Sequence, residues 1–198
     1  MSGTQQDIGR FFRHSGIYAL GNALSWLGAS LLPAIYTNYL SVSQYGALEL
    51  FYVIDGVVSG ILSIGIAHAT LRFYFEYPEQ HERNTVVSTN LIASFAITLL
   101  GVLPLAFWAG DIARYFFSDE RMALGVWLIL ASLVLELSTQ VSLAHLRARE
   151  YSGFFISVSF GKLIVQIAVS TVLLTQFDAG VVGVLIGNLA AVALGWVV

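Results

Sequence analysis

The sequence predicts an all-α integral membrane protein, a bundle of six transmembrane helices. Three observations carry that expectation. Hydrophobic residues make up 57% of the 198 and charged residues only 11%, with a mean hydropathy of +0.78, a composition for which the bilayer is the natural solvent. The apolar residues gather into long runs of about 20, the number a helix needs to cross about 30 Å of hydrocarbon. A spanning chain must satisfy its own backbone hydrogen bonds as helices or a closed barrel, and apolar runs without strict alternation exclude the barrel.

Taken in order, the spans read 16–40, 47–71, 86–109, 122–143, 154–175 and 180–198. The first follows Arg10 and Arg13, is too long for a signal-peptide core and lacks a small-residue cleavage site, so it reads as an uncleaved span. The break SVSQYG joins spans one and two. Ser41 and Ser43 suit a helix cap and Gly46 a tight turn, which makes these spans an antiparallel hairpin. Arg10, Arg13, Arg72, Arg83, Arg147 and Arg149 fall on one side of the alternating spans, against Arg114 and Arg121 on the other. The positive-inside bias therefore places the N-terminus in the cytoplasm and SVSQYG outside.

Each span carries polar or small residues at helical spacing. In span two Glu49, Tyr52, Gly56, Ser59, Ser63, Ala67 and Thr70 share one face, with Asp55 at its edge, and Leu50, Ile54, Val57, Val58, Ile61 and Ile64 are expected to face lipid. Matching stripes are Asn22, Ser25 and Ala29 in span one, and Asn90, Ser94, Thr98 and Gly101 in span three. Span four has Ser132, Glu136 and Thr139, span five Ser159, Lys162, Gln166 and Ser170, and span six Gly180, Gly183, Gly187 and Ala191. Such stripes either line a shared interior or let helices pack closely; Gly56 with Gly60, and Gly183 with Gly187, read as packing contacts.

Four ionisable residues fall inside spans: Glu49, Asp55, Glu136 and Lys162. Each would cost about 2.5 to 3.5 kcal/mol at a lipid-facing helix centre, so each is expected to face protein or water. Glu136 and Lys162 lie at similar depth on opposed spans, where they would form an ion pair or serve a cavity. Asp55 has no basic partner on its own face and is a candidate proton or cation site. Glu49 lies where it would snorkel to the outer surface. In RFYFEYPEQHERN, Arg72 and Glu76 have i,i+4 spacing, and Arg72 and Arg83 suit either phosphate head groups or the orientation signal.

Other chemistries lack their residues. No cysteine is present, and His14, His68, His81 and His145 show no HExxH spacing, so no metal site is expected. Walker A, dinucleotide and GxSxG patterns are absent, and a net charge of −3 leaves no nucleic-acid footprint, so neither a cofactor nor a nucleic-acid partner is expected. The connections are short, the longest about a dozen residues. A membrane-embedded polysaccharide polymerase or ligase is the alternative from another class, but short connections lack the sizeable outer loop its chemistry would need.

The stretches IYALGNALSWL, LLPAIYTNYLSVSQYGALEL, LRFYFE with the following VVSTN, and LRARE occur in that order. In pattern the chain resembles the oligosaccharide flippases, the polysaccharide exporters of the superfamily that includes multidrug and toxin extrusion proteins. The resemblance implies two pseudo-symmetric six-helix lobes around a central cavity in a bacterial or archaeal cytoplasmic membrane. It also implies movement of polyprenyl diphosphate-linked oligosaccharide to the outer leaflet by alternating access. The chain would be the N-terminal lobe, with a C-terminal lobe expected to follow. On this reading Asn22, Ser25, Glu49, Tyr52, Asp55, Ser59, Asn90, Ser94, Glu136, Lys162 and Gln166 are cavity-lining candidates. Arg72, Glu76, Arg83, Arg147 and Arg149 are candidates for the head-group site or cytoplasmic gate. The implied partners are the lipid-linked glycan, membrane lipids and a coupling cation or proton. An ion-coupled multidrug exporter of the same architecture is the runner-up, with Asp55 or Glu136 as its coupling site.

Overall fold

The computed structural model describes residues 26, 28, 30–63, 80–148 and 152–197. These are helical, with no strand among them. The described end of the first helix, α1, covers residues 30–39. It is followed by α2 (Val42–Leu62), α3 (Gln80–Phe107), α4 (Ala109–Phe117), a 3-10 turn (Glu120–Met122), α5 (Ala123–Ala148), α6 (Ser152–Gln176) and α7 (Gly180–Val197). Five helical stretches among the described residues are long and apolar enough to cross a membrane: Val42–Leu62, Asn84–Phe107, Glu120–Leu143, Gly153–Gln176 and Gly180–Val197. Residues 16–25, 27 and 29 of the expected 16–40 span lie outside the described residues.

The hairpin turn is tighter than SVSQYG implied. Ser41 is the N-cap of α2: its side chain accepts from the Gln44 amide at 3.2 Å, and the Gln44 side chain accepts from the Ser41 amide at 3.0 Å. This reciprocal capping box satisfies two amides that a helix start leaves open. It starts the helix at Val42 rather than Ala47, so Gly46 sits within α2 and not in the turn.

A second difference lies in the connection after span three, which holds the short helix α4. Ala109 and Ala113 are buried on one side of α4, whereas Tyr115 and Phe116 are exposed on the other, beside exposed Phe107 and Trp108. Arg114 forms ion pairs with Asp111, at 3.6 Å, and with Glu120. The helix ends at Ser118, whose φ of 55° is left-handed and whose amide donates to the Arg114 carbonyl.

The core is organised around α5. Val126, Ile129, Leu130, Leu133 and Leu137 follow helical spacing and are all buried, and α5 packs against α2, α3, α4, α6 and α7. Helices α6 and α7 run close together because α7 presents glycines. A Cβ at Gly183 would lie 3.1 Å from Leu173 Cβ, and one at Gly187 would collide with Ser170. The expected Gly183 and Gly187 packing contacts are thus made. Gly56 and Gly60 differ: a Cβ at either would meet nothing within 4 Å. The reason is the rotation of α2, which turns Leu48 and Phe51 into the core and leaves Gly56 and Gly60 exposed. Val58, expected toward lipid, packs against the core.

Buried hydroxyls satisfy themselves along their own helices. Ser94 donates to the Leu91 carbonyl at 2.9 Å, Thr98 to Ser94 at 2.7 Å, Ser132 to Leu128 at 2.9 Å and Thr139 to Leu135 at 2.8 Å. Small polar residues bonded in this way let helices approach without leaving an unmatched donor. Outward faces are apolar, with Val53, Val57 and Ile61 exposed on α2 and Ile92, Leu100 and Leu103 on α3. Apolar exteriors on helices of spanning length fit a multi-pass membrane protein.

Candidate functional site

Near the capped turn, α1, α2 and α6 line a half-open cavity of about 270 Å³. Leu32, Pro33 and Tyr36 line it from α1, Tyr45, Leu48, Glu49 and Tyr52 from α2, and Gln166 from α6. Tyr45, Glu49 and Tyr52 share a face because they stand at i, i+4 and i+7. The Tyr45 hydroxyl and the Glu49 carboxylate, one turn apart, lie within electrostatic reach of each other. Tyr36, only 2% exposed, donates to Ser170 Oγ at 3.4 Å, with Gln166 beside it in the cavity lining. That contact ties α1 to α6. Tyr52 lies within electrostatic reach of Tyr36, Tyr45, Glu49 and Asp55.

Further along α2, Asp55 lies within electrostatic reach of Glu136 on α5. Both are half-buried, as is Lys162 on α6. The aliphatic stem of Lys162 lies against α7, with Cδ 2.9 Å from the position of a Cβ at Gly195; Thr139 Cγ2 is 3.5 Å from the same point. Lys162 is therefore near the turn of α5 that follows Glu136. The expected ion pair between them is not formed, for among the described residues the ion pairs are those of Arg114. The physical reason is direction: the lysine stem runs along the glycine surface of α7, while Glu136 lies near Asp55 of α2.

Of the residues singled out from sequence, the structure brings Glu49, Tyr52 and Gln166 into the cavity and places Asp55, Glu136 and Lys162 in the bundle beyond it. Ser59 bonds its own helix through the Gly56 carbonyl at 3.2 Å. Ser94 is fully buried and Asn90 half-buried on α3, neither among the residues lining the cavity. Asn22, Ser25, Arg72, Glu76 and Arg149 lie outside the described residues, and Arg83 and Arg147 are placed on α3 and α5 by backbone alone. Sequence reasoning missed Tyr36 and Tyr45. The signal was the density of tyrosines across PAIYTNYLSVSQYG, set on both sides of one turn, so that folding the hairpin brings them together.

Among the described residues no three His, Asp or Glu side chains cluster to hold a metal ion. No family model, curated protein or solved structure matches the chain. The functional reading therefore rests on the chemistry of its own side chains.

Proposed function

We propose that the chain is the N-terminal lobe of a flippase that moves polyprenyl diphosphate-linked oligosaccharide from the inner to the outer leaflet by alternating access. The observation that carries the reading is Lys162: a cation within a spanning helix that makes no ion pair among the described residues. A cation at membrane depth requires a counter-charge or water. The diphosphate of a lipid-linked glycan supplies the charge, and its lipid tail remains beside the apolar outer faces. In transporters built from repeats the substrate sits between the repeats, so the second lobe would complete the site. Bias in basic residues supports a cytoplasmic N-terminus.

The test is the distribution of lipid-linked glycan between leaflets in cells deleted for the gene. Loss of the protein is expected to trap glycan on the cytoplasmic leaflet. Lys162→Arg should restore export and Lys162→Met should not. An unchanged distribution on deletion would overturn the reading.

A second reading, ion-coupled export of small cationic compounds, is favoured by the neighbouring carboxylates of Asp55 and Glu136. Deletion would then raise sensitivity to such compounds and leave glycan distribution unaltered.

A further inference from the structure

The cavity near the capped turn carries a chemistry that the diphosphate reading does not use. Among the described residues its lining has three tyrosines and one carboxylate, and no lysine or arginine. Glu49 forms no ion pair among the described residues; the Tyr45 hydroxyl lies within electrostatic reach of its carboxylate. Asp55, one turn beyond Tyr52 on α2, adds a second carboxylate below. Lys162, one turn from Gln166, directs its stem toward Gly195 and is not among the lining residues. The site is acidic and aromatic, and unsuited to an anion.

We propose that the cavity formed by Tyr36, Tyr45, Glu49, Tyr52 and Gln166 binds an alkylammonium group. Aromatic rings attract a cation through their negative faces, and Glu49 supplies the counter-charge at the exposed mouth of the cavity. Leu32, Pro33 and Leu48 receive the alkyl substituents. A volume of about 270 Å³ lies just below the usual range for ligand cavities and suits a head group or small amine over a drug-sized molecule. The ammonium arrives either on a soluble amine or on a zwitterionic lipid, whose head group lies near the depth of the capped turn.

The test is calorimetric titration of the purified intact protein, in nanodiscs of phosphatidylglycerol, with choline and with its uncharged isostere 3,3-dimethylbutan-1-ol. Choline is expected to bind at least tenfold more tightly. Glu49→Gln, at an exposed position, should weaken choline at least tenfold with no loss of thermal stability. Tyr52→Phe should retain binding, because the ring is kept, and Tyr52→Leu should lose it. Exchange into phosphatidylethanolamine nanodiscs distinguishes the sources. A weakened apparent choline affinity there marks the lipid head group as occupant, and an unchanged affinity marks a soluble amine. Equal binding of choline and its isostere, binding insensitive to Glu49→Gln, or displacement of choline by a neutral monosaccharide would overturn the proposal. Lys162→Met leaves choline binding intact, so failure of this proposal and failure of the flippase reading are separable.

Discussion

The ring of Phe51 on α2 stacks on that of Phe117 on α4, with centroids 4.3 Å apart and planes 27° apart. The same Phe51 ring lies against Gly125 of α5, where any Cβ would collide with it. One side chain thus joins a spanning helix, the short helix at the bundle end and the central helix.

Gly125→Ala is accordingly expected to destabilise the protein by about 1 to 3 kcal/mol, the usual cost of overpacking a filled core. Thermal unfolding in detergent reads the effect as a lower Tm. Phe51→Leu, made in the same background, should recover part of the loss. A Gly125→Ala protein that melts with the parent would show that the ring is free to move.

Gly180 opens α7 at a φ of +54°, and a Cβ there would stand 3.0 Å from the Gln44 amide nitrogen. Gly180→Ala should cost about 1 to 2 kcal/mol from the left-handed backbone, with a further steric share. In a Gln44→Ala background, which has also lost its half of the capping box, Gly180→Ala should cost only the backbone share. Gly180→Asn should lose less to the backbone than Gly180→Ala, since asparagine tolerates this region. Equal melting temperatures for parent and Gly180→Ala would refute the account.

Since Glu136 and Lys162 do not pair, removing either is expected to cost far less than the about 3 to 5 kcal/mol that follows the breaking of a buried ion pair. The variants Glu136→Gln, Lys162→Met and their double should be close to additive in stability. Asp55→Asn and Glu136→Gln should not be, because both relieve one repulsion between neighbouring carboxylates. A large favourable coupling between Glu136 and Lys162 would restore the ion pair.

Exposed Phe107, Trp108, Tyr115 and Phe116 gather at α4, in the manner of aromatics at a membrane–water interface. With Trp26, Trp127 and Trp196 replaced by Phe, Trp108 emission should be quenched more by lipids brominated near the head group than by lipids brominated near the chain ends. Stronger quenching from the chain ends would move α4 into the hydrocarbon.

A cysteine at exposed Ser43 should react with a membrane-impermeant maleimide added to intact cells, as the asymmetry of basic residues requires. Labelling only after the membrane is opened would invert the protein.

Much of the architecture was legible beforehand. Runs long enough to cross hydrocarbon, free of alternation, leave helices as their solution, and five stretches of spanning length appear among the described residues. The start of α2 was also written locally, in the reach of Gln44 back to Ser41, though it was read as a looser turn centred on Gly46. Helix α4 was not legible, because AGDIARYFF is short and its charges resemble those of a loop; its pairing of buried Ala109 and Ala113 against α5 becomes visible only when α5 is in place. Asp55, Glu136 and Lys162 stood out as costly residues, but their partners did not follow from depth.

The division has a physical cause. Chain composition and span length decide the solvent, the helical class and which residues are expensive to bury, since those depend on transfer from water to hydrocarbon. Which face of each helix turns inward is different, because lipid and protein interior are equally apolar and hydrophobicity does not distinguish them. Packing volume does: Phe51 fits against Gly125, and Gly183 and Gly187 admit α6, whereas Gly56 and Gly60 face outward on the same spacing. That rotation of α2, settled only in the packed bundle, brings Tyr45, Glu49 and Tyr52 to Tyr36 and makes a cavity where the sequence offers four separated side chains.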